Sequence, residues 1–270
     1  ENPRNINLLK YIAWMFDRKH TPEETSGARS YEDRRNAERD RQAEQSLAGR
    51  DIGPLPEVVN PDRKAACERN FQLFCESYFP ETYSLAWSPD HLKVIEKIET
   101  AVLRGGLFAL ALPRGSGKTT ITESAALWSM LYGHREFVVL IGATESAALE
   151  LLDSLKTELE VNERLAEDFP EVCYPVAQLE GIANRCAGQL YKGERTRITW
   201  TSNEIVLPTI EGSKASGIIV RVAGITGRIR GMKFKRSDGR SVRPSLVIID
   251  DPQTSESAGS LEQTRKRVRV

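Results

Sequence analysis

The stretch Leu107-Phe108-Ala109-Leu110-Ala111-Leu112-Pro113-Arg114-Gly115-Ser116-Gly117-Lys118-Thr119-Thr120 decides the fold class of this chain. Its first six residues form a continuous apolar run, and a short run bounded by a turn predicts a buried parallel strand. The residues after it are rich in glycine and end in Lys-Thr-Thr, ahead of a segment with the apolar spacing of a helix. Strand, glycine-rich loop and helix in this order are typical of a phosphate-binding loop.

The residue types of the loop suit a nucleoside triphosphate. Glycine lets backbone N–H groups approach phosphate oxygens, and the N-terminus of the following helix adds partial positive charge. We predict that residues 113–120 bind ATP, that Lys118 reaches the β- and γ-phosphates and that the Thr119 hydroxyl ligates Mg²⁺. Arg114 braces the γ-phosphate or senses its loss, or alternatively forms a salt bridge with a neighbouring acid. The general pattern has Gly where this chain has Leu112, so a glycine-rich turn with a chance Lys-Thr is the alternative.

An acidic pair follows a second apolar run. The run Leu246-Val247-Ile248-Ile249 predicts the last buried strand, and Asp250 and Asp251 come directly after it. In P-loop ATPases an acidic residue in this place serves the metal, so we predict that Asp250 holds Mg²⁺ and that Asp251 orients and deprotonates the attacking water. Asp251 alternatively belongs to a turn or helix cap before Pro252.

Alternating strand and helix patterns predict an α/β fold with a mainly parallel central sheet flanked by helices. The predicted elements are helices over 61–79, from Pro89 through Ile98, from the loop through Tyr132, from Ala148 to Leu159 and from Ser260 onward, strands over 137–141 and 217–222, and a hairpin of 197–201 with 204–208.

Two domains are predicted, an N-terminal helical and charged segment (1–60) and the α/β domain (61–270). Residues 5–18 carry a helical apolar stripe, which docks on a partner or covers the α/β domain. Residues 21–50 are dense in charge and form a solvated helix or a linker, before a turn-rich break at 51–56. Because residue 1 is Glu and the last helix has no stop signal, we expect the sequence to be part of a longer protein.

Composition excludes several classes of protein. The 38 basic residues balance 38 acidic ones, so the charge of the whole chain neither favours nor excludes nucleic acid. None of the four cysteines lies in a C-x-x-C pair, which argues against a structural zinc site, and their low density argues against a disulfide scaffold. No apolar run reaches 18 residues, so no membrane span is predicted.

A basic segment lies between the loop and the acidic pair. From Arg228 to Arg243 there are seven basic residues and one acid, Asp238, which gives 7 − 1 = +6. A glycine-interrupted segment of this charge suits DNA phosphates or the γ-phosphate in a neighbouring subunit, and the alternative is an ordinary solvated hairpin. The candidate DNA contacts are Arg228, Lys233, Lys235 and Arg236.

These motifs together resemble the N-terminal ATPase domain of the large terminase subunit of tailed bacteriophages. The resemblance covers roughly residues 61–270. It rests first on the loop 113–119, which contains Arg114 and has Leu112 where the general pattern has Gly. It rests also on Gly227-x-x-Arg230-Gly231 after a β-rich stretch, and on Ile248-Ile249-Asp250-Asp251. It implies a P-loop NTPase of the additional-strand type that hydrolyses ATP with Mg²⁺ to move double-stranded DNA.

The resemblance also implies partners and further site residues. Such motors form a homo-oligomeric ring, commonly a pentamer, on the portal protein of a procapsid in the cytoplasm of the infected bacterial host, and work with a small terminase subunit. An Arg of one subunit completes the site of its neighbour; Arg230 matches this role best, with Arg228 as the alternative. His91, in Ser88-Pro89-Asp90-His91, stands where the family has an adenine-contacting Gln. The coupling motif and a nuclease domain would lie beyond Val270, so no nuclease residue is assigned.

Two other functions remain open at this point. A helicase-like DNA translocase would share the same chemistry and would be distinguished by a second RecA-like domain. A nucleotide-binding module that does not hydrolyse ATP would be distinguished by an assay of ATP hydrolysis with and without DNA.

Overall fold

The structure is a computed structural model, and it describes residues 35–36, 38–41, 50–227, 229, 231–236, 238–253 and 259–268. The chain divides into two units, Glu1–Ala48 and Gly49–Val270. In the first unit, residues 35–36 and 38–41 are helical. The predicted helix over 5–18 and most of the charged segment 21–50 lie outside the described residues.

The helices of the second unit follow the predicted apolar spacing closely. In chain order they are α1 (Pro61–Cys67), α2 (Phe71–Tyr78), α3 (Pro89–Leu103), α4 (Lys118–Leu131), α5 (Glu145–Val161), α6 (Glu163–Asp168), α7 (Pro170–Ala177) and α8 (Leu261–Val268), with a 3₁₀ turn at Ala183–Gly188. The predicted helix over 61–79 is two helices, because the Asn70 side chain accepts the Leu73 N–H at 2.8 Å and caps a new start.

Five strands form the main sheet, which is mixed. The strands of the second unit are β1 (Phe137–Gly142), β2 (Leu190–Tyr191), β3 (Glu194–Arg195), β4 (Thr199–Trp200), β5 (Glu204–Val206), β6 (Ile219–Gly224), β7 (Phe234–Lys235), β8 (Ser241–Val242) and β9 (Leu246–Ile249). The main sheet has the order β4-β5-β6-β1-β9, while β2 pairs with β3 and β7 with β8. In the main sheet β1 is parallel to β6 and β9, whereas β4–β5 and β5–β6 are antiparallel. The prediction of an α/β fold is confirmed, and the sheet has two parallel and two antiparallel pairings rather than a mainly parallel order.

The predicted strand over 107–112 is wrong. These residues are irregular and mostly exposed, and Leu107 is fully exposed. An apolar run becomes a strand only when another backbone edge accepts its hydrogen bonds. Within the described residues, no backbone hydrogen bond joins 107–112 to any strand.

The prediction that β9 is buried is also wrong. Val247 remains 47% exposed and Ile249 52% exposed. Among the described residues β9 pairs with β1 alone, so it forms an edge of the sheet. Its other two side chains, Leu246 and Ile248, pack against the main core.

Helices cover one face of the sheet. Val138, Leu140, Val220 and Val222 point into a large core shared with α1–α7. The opposite face, with Phe137 and its neighbours, packs under residues from the segment 225–242 instead of under described helices. The expectation of helices on both faces therefore does not hold for the described part of the chain.

A buried carboxylate ties the helices to one another. Asp168, at the end of α6, accepts from Arg63 Nε at 2.6 Å, from the Tyr78 hydroxyl at 2.7 Å and from the Asn60 N–H at 3.1 Å. The Arg63 guanidinium also pairs with Glu167 at 2.7 Å. Because Asp168 is fully buried, these donors replace the water that its charge would otherwise require. The pKa of Arg63 is raised, chiefly by its hydrogen bond to Asp168.

Candidate phosphate-binding site

The carboxyl ends of the three parallel strands lie at one edge of the sheet. Strand β1 ends at Gly142, β6 at Gly224 and β9 at Ile249. The Asp250 N–H donates to the Ile141 carbonyl at 2.8 Å and thereby extends the pairing by one residue. This edge is where ligands bind in open α/β sheets.

The loop and the acidic pair meet at this edge. The Thr119 hydroxyl donates to Asp250 Oδ2 at 2.8 Å, across 131 residues of sequence. Lys118 Nζ lies 3.6 Å from Asp251 Oδ1 and donates to the Leu112 carbonyl at 3.4 Å. The four residues with predicted roles for the phosphates, the metal and the attacking water therefore share one site.

The N-terminus of α4 offers unused donors to this site. Gly117 precedes the helix in the left-handed conformation, with φ 73°, and no side chain caps the helix. The first backbone bond into α4 runs from the Ile121 N–H to the Gly117 carbonyl at 3.0 Å. Among the described residues, no acceptor lies within hydrogen-bond range of the N–H groups of 117–120. Free N–H groups and the helix dipole together make an anion site.

The glycines of the loop are required by backbone conformation. Gly115 and Gly117 have φ 80° and 73°, which L-residues rarely adopt. A Cβ at either position would meet no atom within 4 Å, so crowding is not the reason for glycine here. Both glycines are therefore explained by their φ angles.

His91 lies under the loop. Its Nε2 donates to the Ser116 carbonyl at 3.0 Å, while Nδ1 lies 3.1 Å from the Ser88 hydroxyl. The ring of Trp87 packs edge-on against His91, with centroids 6.0 Å apart. The nucleotide contact predicted for His91 stays a prediction, and in the structure the ring is hydrogen-bonded to the backbone of the loop.

Arg114 and Asp251 are the exposed members of the site. The predicted alternative of a salt bridge for Arg114 is not seen, since no described carboxylate lies within 4 Å of it. The side chain of Asp251 is 73% exposed, and its backbone has φ 36°, a strained conformation for a non-glycine residue. Strain of this kind is concentrated at functional sites, which agrees with a chemical role for Asp251.

Glu123 is a carboxylate near this edge that the sequence analysis did not single out. It lies one helical turn beyond Thr119 on α4, and burial, with smaller contributions from Asp250 and Glu158, raises its pKa to about 7. The signal in the sequence is a carboxylate four residues after the Thr of the loop, next to a buried stripe. Burial therefore favours the protonated form of the Glu123 carboxyl group.

The residues present fit a hard cation held jointly with phosphates. Thr119 and Asp250 offer two oxygen atoms, which are the ligands that Mg²⁺ prefers. Within the part of the chain that the structure describes, no three His, Cys, Asp or Glu residues cluster as a self-sufficient metal site. A cation here would therefore need oxygen ligands from a bound anion, as Mg²⁺ has in nucleotide sites.

The described members of the predicted DNA-contact set, Lys233, Lys235 and Arg236, lie away from the loop. Arg228 and Arg230 are outside the described residues. Lys233 and Lys235 are exposed, and Arg236 donates to the Ser216 carbonyl at 3.0 Å and lies 3.8 Å from Glu136. Since Glu136 immediately precedes β1, Arg236 lies at the amino edge of the parallel strands, opposite the loop.

Comparison of the chain with protein-family models, with curated proteins and with solved structures finds no match. None of the described helices combines the length and the apolar character needed to cross a membrane.

Proposed function

We propose that this chain is a P-loop ATPase of the additional-strand type, which binds ATP with Mg²⁺ on residues 113–120 and hydrolyses it. One observation carries the proposal. Four consecutive N–H groups at an uncapped helix N-terminus lack acceptors among the described residues, beside Lys118 and the Thr119–Asp250 pair. Free N–H donors, a lysine, a hydroxyl and two carboxylates are the groups that phosphoryl transfer to water requires.

Each residue has a distinct task in this proposal. The N–H groups of 117–120 bind phosphate oxygens, and the ammonium of Lys118 neutralises their charge. Thr119 and Asp250 would hold Mg²⁺, which would supply further charge neutralisation at the phosphates. Asp251 orients the attacking water and accepts its proton, and its exposed carboxylate lies beside the Lys118 ammonium.

We propose further that hydrolysis drives the movement of double-stranded DNA, in a terminase large subunit that packages a viral genome. This step is supported by the resemblance of the sequence motifs and by the basic segment between the loop and the acidic pair. The same resemblance supports a ring of subunits at the portal of a procapsid in the host cytoplasm, together with a small terminase subunit.

The ATPase proposal is tested with Lys118→Ala. Removal of one preorganised charge at a transition state typically costs about 10²–10³ in rate, so kcat/KM for ATP should fall by that factor. Lys93→Ala is the matched control, because Lys93 is an exposed lysine whose only ion pair among the described residues is with Asp90, three residues away. A loss below about tenfold, equivalent to about 1.4 kcal/mol, would contradict the assignment.

The division of roles between the carboxylates is tested separately. Asp251→Asn should retain binding of Mg·ATP and lose turnover, whereas Asp250→Asn should raise the Mg²⁺ concentration needed for binding. Nucleotide binding is measured by fluorescence titration across a Mg²⁺ series. Equal loss of binding in both variants would mean that the two residues share one role.

A further inference from the structure

A second, basic site lies away from the phosphate loop. A cleft of about 710 Å³ opens between the segment 194–199 and the β7–β8 hairpin. Cations line both walls, Arg195 and Arg197 on one and Lys235 and Arg236 on the other. Two acids, Glu194 and Asp238, also line it, so the lining carries 4 − 2 = +2.

Three of these four cations have no ion-pair partner among the described residues. Within the described residues, no carboxylate lies within 4 Å of Arg195, Arg197 or Lys235. Other arginines of the same region are paired, Arg221 with Glu204 and Arg240 with Asp238. Since Arg240 already engages Asp238 at 2.8 Å, the unpaired charge of the cleft is mainly positive.

Arg195 and Arg197 are exposed on a segment whose intervening residue is buried and hydrogen-bonded. Thr196 and Ile198 are buried on either side of Arg197, while Arg195 and Arg197 are exposed. The Thr196 hydroxyl donates to the Gln189 side chain at 2.8 Å, and the Thr196 carbonyl accepts the Thr209 N–H at 2.6 Å. The segment is therefore anchored at the buried residue between its two arginines.

The backbone of Arg197 is strained. Its φ is 54°, in the left-handed region that few residues other than glycine adopt. The sequence keeps a long cation at this position, where Gly would relieve the strain. Strained backbone conformations cluster at functional sites.

We propose that this cleft binds the sugar–phosphate backbone of duplex DNA. Arg195 and Arg197 would contact phosphates from one wall of the cleft, and Lys235 and Arg236 from the other. Guanidinium groups bind phosphates through paired N–H donors. An open cleft with exposed cations on both walls suits a long polymer of regularly spaced charges. The inference rests on the proposed DNA-translocating function for its choice of polyanion, and its site lies at the amino edge of the sheet, opposite the nucleotide loop.

The test measures binding of a fluorescein-labelled DNA duplex of about 20 base pairs by anisotropy over a series of KCl concentrations, without nucleotide. The variant is Arg195→Ala with Arg197→Gly, in which glycine fits the left-handed backbone and protects the fold. The control is Arg69→Ala with Arg104→Ala, because both arginines are exposed, have no carboxylate within 4 Å among the described residues and lie on other elements. Both variants remove two positive charges.

Loss of two phosphate contacts should lower the slope of log Kd against log salt by about 2, at about 0.9 per contact. The control variant should keep the slope of the unaltered protein. An equal slope in both variants would overturn the proposal. So would displacement of the duplex by poly-glutamate as efficiently as by unlabelled DNA, since this would identify a site for acidic protein segments.

The same experiment separates this inference from the ATPase proposal. ATP hydrolysis without DNA is measured on both variants and should equal that of the unaltered protein. If the unaltered protein does not hydrolyse ATP but the slope falls as expected, the ATPase proposal fails and the DNA cleft stands. If hydrolysis is normal and the slope does not change, the cleft fails alone.

Discussion

The helical layer of the second unit and the sheet edge next to the loop 113–120, here called the loop edge, are built in opposite ways. In the helical layer, polar groups are buried and paired, as at Asp168 with its three donors. At the loop edge, Asp251 and the apolar residues 107–110 are exposed, and the N–H groups of 117–120 have no acceptor among the described residues. We therefore expect the helical layer to contribute more to the stability of the unit than the loop edge does.

The largest expected effect is that of breaking the Asp168 network. Asp168→Ala leaves Arg63 and the buried Tyr78 hydroxyl without their shared acceptor, which should cost about 3–5 kcal/mol of unfolding free energy. Denaturant titration measures it. Glu167→Ala removes the exposed partner of the same arginine and should cost less than about 1 kcal/mol. Similar losses of unfolding free energy in the two variants would show that the burial of Asp168 does not make its contacts more stabilising than those of the exposed Glu167.

The contact between the sheet and α5 should be nearly as sensitive. A Cβ added at Gly224 would lie 2.8 Å from the Glu145 N, which is backbone and cannot turn aside. Gly224→Ala should therefore destabilise the unit by about 1–3 kcal/mol, as overpacking usually does. Gly188→Ala is the control, because its Cβ would meet only the flexible side chain of Arg50, at 3.2 Å. The difference in melting temperature between the two variants checks this.

A pH series probes the loop edge through Glu123. Its pKa is raised from 4.5 to about 7 in the folded protein, so the folded state binds more protons than the unfolded state between these values. Stability should therefore fall as pH rises through this window, and Glu123→Gln should remove that part of the decline. Because Glu123 is half-buried, solvent screens its charge, and we expect Glu123→Gln to change the unfolding free energy less than Gly224→Ala does.

The measurement for Glu123 is the unfolding free energy of both proteins at several pH values, without Mg²⁺ or nucleotide. The difference between the two proteins isolates Glu123 from other titrating groups, such as His134, whose pKa is lowered by burial. A difference that does not vary with pH would mean that the pKa of Glu123 is the same in the folded and unfolded states.

The smallest effect is expected at the exposed apolar run. Leu107→Ala should change stability by less than about 0.5 kcal/mol, because Leu107 is fully exposed. Leu127→Ala, at a buried position of α4, should cost about 2–5 kcal/mol. Thermal unfolding of both variants is the measurement. A large loss at Leu107 would show that the run is packed in solution and that the two regions differ less than described.

Local patterns predicted most of the fold. The stripe of Ile121, Ala125, Trp128 and Tyr132 is buried, as the spacing indicated. Strand β9 has the predicted bounds, and the predicted hairpin forms the antiparallel pair β4–β5. These successes share one cause, since apolar spacing within a segment determines which of its faces is buried.

The failures depend on neighbours that a local pattern does not show. The apolar run at 107–112 met the pattern of a strand but has no described partner edge, and β9 was expected to be buried but leaves Val247 and Ile249 exposed. Glu123 and the cleft around Arg195 depend on side chains that meet only in the folded chain. For the candidate site, the sequence indicated which residues meet, and it did not show that His91 braces the loop or that Asp251 is strained.

The edge position of β9 has a practical consequence for handling the protein. Among the described residues, one row of its backbone N–H and C=O groups has no partner, and Val247 and Ile249 add exposed apolar surface beside it. The strand contains no Pro or charged residue, the features that usually protect such edges from intermolecular pairing. Its length of four residues limits how many bonds a neighbour could make. Aggregation at high concentration should therefore begin by strand pairing between molecules, with light scattering rising while the helical signal is still intact.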